Sequence, residues 1–211
     1  TICLPSNASA ERKNILRSLG AELILTSPLE GTDGAQIVAK ETYAANPDKY
    51  FYADQYSNDA NWQAHYLTTA EEIWTQTKGK ITHFVAGLGT TGTFVGTARR
   101  LKELGNVQLI SLQPDHPFHP LEGWKHLATA HRPGIYDDTL ADKTLVIDSS
   151  GVFDMIKSIS IHERLFISPS GAANLLGALE VASQIKEGDI VTTLADTLDR
   201  YQEVRKEIFG T

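Results

Sequence analysis

Seven consecutive residues, Gly87-Leu88-Gly89-Thr90-Thr91-Gly92-Thr93, hold three glycines and three threonines. That composition suits anion binding at the start of a helix. Glycine lets backbone N–H groups come close to a ligand, the helix dipole favours negative charge, and threonine hydroxyls add donors. Each such contact contributes about 0.3–1 kcal/mol, so several together can hold a phosphate dianion. No lysine follows the last glycine, and the glycine spacing is not that of a dinucleotide fingerprint, so neither nucleotide motif applies. A tight strand-to-helix turn without a ligand is the competing reading. In Ser168-Pro169-Ser170-Gly171, Ser168 has the character of an N-cap and Pro169 that of the first helical position. Asp115-His116-Pro117-Phe118-His119 collects metal-ligating types, but Pro117 and the flanking Pro114 and Pro120 preclude a helical i,i+4 pair. A solvated loop, with no metal, is expected there.

The elements around these residues follow from apolar periodicity. Ile81–Ala86 reads as a strand feeding the glycine-rich turn. Phe94, Val95, Ala98, Leu101 and Leu104 form one helical stripe after it, closed by Gly105. Strands are expected at Thr1–Leu4, Glu22–Thr26, Phe51–Gln55, Val107–Leu112, Thr144–Ile147 and Asp189–Leu194, with a short apolar run at Leu165–Ile167. Helices are expected from about Ala8–Ala10 to Gly20, and over Ala35–Ala45, His65–Thr77, Val152–Ile161 and Ala172–Ile185, with a helical end. Gln113–Pro133 is rich in proline and histidine and reads as loop. Strand–helix alternation predicts an α/β fold of mostly parallel sheets flanked by helices.

The 211 residues are 41% hydrophobic and 21% charged, enough to bury a core. A net charge of -7 argues against nucleic acid and against an anionic membrane surface. The single cysteine, Cys3, excludes an internal disulfide and any CxxC-type zinc site. No apolar run reaches the roughly 20 residues that a membrane-spanning helix needs. A cytoplasmic setting is expected.

Several segments together resemble the pyridoxal-phosphate-dependent cysteine synthases, which have the tryptophan-synthase-β-like fold (fold type II). Gly89-Thr90-Thr91-Gly92-Thr93 looks like their phosphate loop. Leu4-Pro5, Ser9-Ala10-Glu11-Arg12-Lys13 and Leu19-Gly20-Ala21-Glu22-Leu23-Ile24-Leu25 resemble the family's P-x-x-x-S-x-E-R-[RK] helix and the G-A-E-L-I-L after it. Gln55-Tyr56-Ser57-Asn58 is similar to Q-F-[SN]-N, and Thr68-Thr69-Ala70-Glu71-Glu72-Ile73-Trp74 to T-T-G-P-E-I-W. The threonine pair, Leu112-Gln113-Pro114 and Pro133-Gly134-Ile135-Tyr136 lean towards the B-like branch. The matches run colinearly from Thr1 to about Tyr201.

The resemblance implies a PLP-dependent transferase. It would replace the leaving group of O-acetyl-L-serine, or a related activated serine, with sulfide or thiosulfate to give cysteine or S-sulfocysteine. Its partners would be the amino-acid substrate and the sulfur donor, and it would form a homodimer. Gly89, Thr90, Thr91, Gly92 and Thr93 would hold the cofactor phosphate. Ser168 or Ser170 would face the pyridine nitrogen, Pro169 standing where the family has a serine. Gln55 would line the substrate carboxylate pocket, and Trp124-Lys125-His126 lies in the segment that covers the active-site mouth.

The family's Schiff-base lysine lies in an N-terminal segment, before a substrate-gripping asparagine loop, and neither motif occurs here. No catalytic residue is therefore assigned on this chain. The expectation is an N-terminally truncated chain that is inactive alone. Residues 1–57 would be part of one α/β domain, and 58–211 a nearly complete cofactor domain. Alternatives are another fold-type-II lyase, cystathionine β-synthase-like or serine/threonine dehydratase-like, or a non-catalytic anion-binding or interaction domain.

Overall fold

A computed structural model describes residues 1–210. They fall into two compact units, Thr1–Asp54 and the residues from Gln55 onward. In the first, β1 (Ile2–Pro5) pairs parallel with β2 (Leu23–Thr26), in register Cys3 to Ile24. The crossover between them is α1 (Ala10–Ser18), which Ser9 caps by accepting the Arg12 N–H. Helix α2 (Gly31–Ala45) follows β2. The expected strand at Phe51–Gln55 does not form. Phe51 is 89% exposed and Asp54 has a positive φ of 42°, which strand pairing does not accommodate.

The second unit is built on a four-stranded, all-parallel sheet. Its strands are β3 (Ile81–Gly87), β4 (Gln108–Pro114), β5 (Lys143–Ile147) and β6 (Asp189–Thr192), in the spatial order β5-β4-β3-β6. Ahead of β3 come α3 (Ala60–Leu67) and α4 (Thr69–Gln76), and α5 (Gly92–Leu104) joins β3 to β4. Helices α6 (Val152–His162) and α7 (Pro169–Gln184) lie between β5 and β6, and α8 (Gln202–Phe209) ends the chain. Apolar residues cover both faces, as a parallel sheet requires. Phe84 stacks on Phe94 of α5 at 6.3 Å in one layer, while Val85, Leu112 and Ala173 pack in the other.

The single helix expected over His65–Thr77 is two helices. The chain breaks at Thr68, where φ -122° and ψ -69° leave the α region, and the Thr68 hydroxyl donates to the Ala64 carbonyl at 2.7 Å. Because α3 begins at Ala60, five residues ahead of the helix start expected at His65, it carries Asn61. Leu165–Ile167 makes only an isolated antiparallel bridge, Ile167 to Thr197. Among the described residues, no helix is long and apolar enough to cross a membrane.

Strand β3 is central, so the chain leaves it in one direction through α5 and returns on its other side through α7 to β6. Ligands in such sheets bind beyond the strand carboxyl ends at this reversal. The N-termini of α5 and α7 both lie at that edge.

Candidate functional site

The turn after β3 carries the densest set of donors. Thr91 precedes α5 with a left-handed φ of 74°, and its buried hydroxyl has no partner. The first-turn N–H groups that follow have no carbonyl acceptors within the helix, so this end is electropositive. Gly92 N–H leans on the Thr90 hydroxyl at 3.3 Å.

Helix α3 lies beneath this turn. Asn61 Nδ2 donates to the Gln55 carbonyl at 2.6 Å and to Thr90 Oγ1 at 3.0 Å. One helical turn on, His65 Nε2 meets Thr93 Oγ1 at 3.2 Å and its Nδ1 meets Thr69 Oγ1 at 2.9 Å. Burial lowers the His65 pKa, favouring the neutral ring. Gly92 and Gly96 admit this helix: a Cβ on Gly92 would overlap Asn61, and one on Gly96 the Trp62 carbonyl. Gly92 therefore also meets a packing need of the protein.

The segment after β4 straps the same turn from another side. Lys125 N–H donates to the Leu88 carbonyl at 2.8 Å. The Trp124 ring occupies the place of a Cβ on Gly87, and the Gly123 carbonyl that of one on Gly89. The Lys125 side chain is buried, its ammonium 5.0 Å from the Tyr56 ring centroid. In the loop leading here, Asp115 accepts from the Ser149 hydroxyl at 2.7 Å. His116 Nδ1 and His119 Nδ1 each accept a backbone N–H at 3.1 Å. Among the described residues, no group of three or more His, Cys, Asp or Glu could hold a metal ion.

Helix α7 reaches the site through its buried Asn174. The side-chain oxygen accepts the Gly87 N–H at 2.8 Å, and Nδ2 donates to the Thr193 carbonyl at 2.8 Å, tying β3 to the end of β6. Ser168 is fully buried and caps α7, accepting the Gly171 N–H at 3.2 Å. Ser170 is half-buried, its hydroxyl 3.2 Å from that of Ser168.

The residues singled out from sequence thus occupy one edge of one unit. Thr90 connects through Asn61 to Gln55, whose own side chain is exposed. The two serines stand on α7, which Asn174 joins to Gly87. Asn61, His65 and Asn174 were not anticipated. A polar i,i+4 pair formed by the first residue of an expected helix and the residue four ahead of it was the available signal for the first two; none marked Asn174.

The model of the family "Pyridoxal-phosphate dependent enzyme" matches residues 1–196. A cysteine synthase of Aquifex aeolicus is 43% identical over 205 residues, covering 95% of this chain and 63% of the relative. Cysteine synthase B of Escherichia coli K12 is 36% identical over 201 residues, covering 95% and 65%. Among solved structures, O-acetyl serine sulfhydrylase isoform 3 from Entamoeba histolytica superposes with a TM-score of 0.85 at 28% identity, covering 99% of this chain and 64% of that one. The chain therefore spans less than two thirds of the length of these relatives.

Proposed function

Because this chain belongs to the pyridoxal-phosphate-dependent enzyme family, we propose that it is the cofactor-holding part of a cysteine synthase. The enzyme would act on O-acetyl-L-serine, or a related activated serine, with sulfide or thiosulfate as sulfur donor. The 43% identity to a cysteine synthase over 95% of the chain carries this reading. Leu112-Gln113-Pro114 and Pro133-Gly134-Ile135-Tyr136 lean towards the B-like branch, and membership of that branch is part of the same reading. Homodimerisation belongs to the same proposal.

The donor set fits a phosphate ester. A helix N-terminus, three threonine hydroxyls and a buried, unpartnered Thr91 oxygen stand together, and none of the loop residues is anionic. Gly89, Thr90, Thr91, Gly92 and Thr93 would hold the phosphate of pyridoxal 5'-phosphate. When bound, that cofactor supplies the electron sink for chemistry at the amino-acid α-carbon.

Of the two serines, Ser170 is the better partner for the pyridine nitrogen. Ser168 already satisfies the Gly171 N–H and is fully buried. A neutral hydroxyl leaves that nitrogen largely unprotonated, which suits elimination and replacement at the β-carbon. Gln55, exposed and tied through its backbone carbonyl to Asn61, would supply its carboxamide to the substrate carboxylate. The Gly123–Lys125 strap is bonded to the buried Leu88 and packs directly on Gly87 and Gly89.

Full-length protein, loaded with cofactor, is the material for the test. Cysteine or S-sulfocysteine formed from O-acetyl-L-serine with sulfide or thiosulfate is the expected result. Product only with homocysteine, or only deamination of serine or threonine, would move the assignment to another lyase of this fold.

A further inference from the structure

A hydroxyl has one hydrogen to give and two lone pairs to fill. For Thr90 the count is complete. Its oxygen accepts from Asn61 Nδ2 at 3.0 Å and from the Gly92 N–H at 3.3 Å. The Asn61 amide cannot be reversed, because the same nitrogen faces the Gln55 carbonyl, which can only accept. The Thr90 hydrogen is thereby left to point away from both donors.

Thr93 stands in the corresponding place one turn along, over His65. A neutral imidazole donates from one nitrogen and accepts at the other, so two orders are open. In one, Thr93 gives its hydrogen to Nε2 and has none for a ligand. In the other, the Thr69 hydroxyl donates to Nδ1, and Nε2–H donates to Thr93, which keeps its hydrogen. Only the second aligns every donor in the chain towards the α5 N-terminus, where an anion strengthens each bond in turn. Asn61 and His65, at i and i+4 of α3, then do the same work beneath two threonines.

We propose that His65 is a positioning residue for the anion cup: held as the Nε2–H tautomer by Thr69, it fixes Thr93 as a hydrogen-bond donor to the bound phosphate group. This rests on the phosphate-holding role of Gly89–Thr93 given above. It adds a residue that itself touches no ligand, and a defined proton position.

The tautomer is read directly from the ¹⁵N spectrum of histidine-labelled full-length protein, with the His65 signals assigned by their loss in His65→Gln. A protonated Nε2 and an unprotonated Nδ1 are expected, before and after addition of inorganic phosphate. Phosphate titration by calorimetry supplies the second readout. His65→Leu should weaken binding about three- to tenfold, the worth of one hydrogen bond. His65→Gln, whose amide can donate from the Nε2 position, should stay within about threefold of the wild type by the same measure. In a Thr93→Val background, His65→Leu should have no further effect. An Nδ1–H tautomer with phosphate binding intact would overturn the relay and leave the cup standing. Equal weakening by Leu and Gln would assign His65 a packing role and overturn it too. A wild type that binds neither inorganic phosphate nor pyridoxal 5'-phosphate would overturn the cup, and the relay with it.

Discussion

The carbonyl oxygen of Gly123 occupies the space that a side chain on Gly89 would need. Glycine at 89 is thus required by the protein itself, whatever ligand the turn receives. Gly89→Ala must lift the strap, which also carries Trp124 over Gly87 and the Lys125 N–H bond to Leu88 at 2.8 Å. Overpacking of this kind costs about 1–3 kcal/mol. Urea unfolding should show that loss, and amide exchange at Lys125 should accelerate far more than at Phe84 in the sheet. Unchanged exchange at Lys125 would show that the strap does not rest on Gly89.

Which parts of this arrangement were legible in the sequence follows from the range of the forces involved. The strands Ile81–Gly87 and Gln108–Pro114 and the helix after Thr91 announce themselves through local apolar periodicity, and the structure has them within a few residues. The glycine- and threonine-rich turn fell at the right place in the fold, between strand and helix, because both flanking periodicities stop there. Asn174 was not readable. Its partners Gly87 and Thr193 are distant in sequence, and an asparagine within an apolar helix looks like any tolerated polar residue. Phe51–Gln55 misled for the opposite reason. Its composition suits a strand, but strands need a neighbour, and Asp54 turns the backbone to positive φ.

Ser168 and Ser170 are close in space but differ in task. Ser168 caps α7 through Gly171 and is fully buried, so Ser168→Ala should cost about 1 kcal/mol of stability. Ser170 is half-buried and makes no cap, so Ser170→Ala should leave stability within about 0.5 kcal/mol of the wild type. Its effect should appear instead in the absorption spectrum of the cofactor-loaded protein and in turnover. A spectral change with Ser168→Ala alone would reverse the assignment.

Acid should loosen the strap loop. Burial lowers the pKa of His119, helped by the neighbouring charges of His116 and His126 and opposed by Asp115. Its Nδ1 accepts the Leu121 N–H, which only the unprotonated nitrogen can do. With the folded pKa below the unfolded value near 6.5, His119 imposes no penalty above that value, and stability is lost as pH falls through the folded pKa. His65, also depressed by burial, acts in the same direction. Asp137, held below the ordinary carboxylate range by the Thr139 hydroxyl, titrates at lower pH and stays out of this window. Urea midpoints measured from pH 8 to pH 5 should therefore decline. His119→Asn, which can keep an acceptor near the Nδ1 position without the titration, should make the decline shallower. An identical slope in the variant would remove His119 from the account.

Thr91 carries the clearest backbone strain in the cup. A β-branched residue at φ 74° costs about 1–2 kcal/mol relative to one in an allowed region, and its buried hydroxyl gains no bond in return. Glycine adopts this conformation freely but loses more entropy on folding, roughly 0.5–1 kcal/mol. The balance favours Thr91→Gly by about 0–1.5 kcal/mol in the ligand-free protein. If the threonine hydroxyl serves the bound phosphate, the same substitution should weaken inorganic phosphate binding by about three- to tenfold. Stability and affinity would then move in opposite directions, the pattern expected where strain is kept for binding. A variant that is more stable and binds phosphate as tightly as the wild type would show that Thr91 shapes the turn and takes no part in holding the anion.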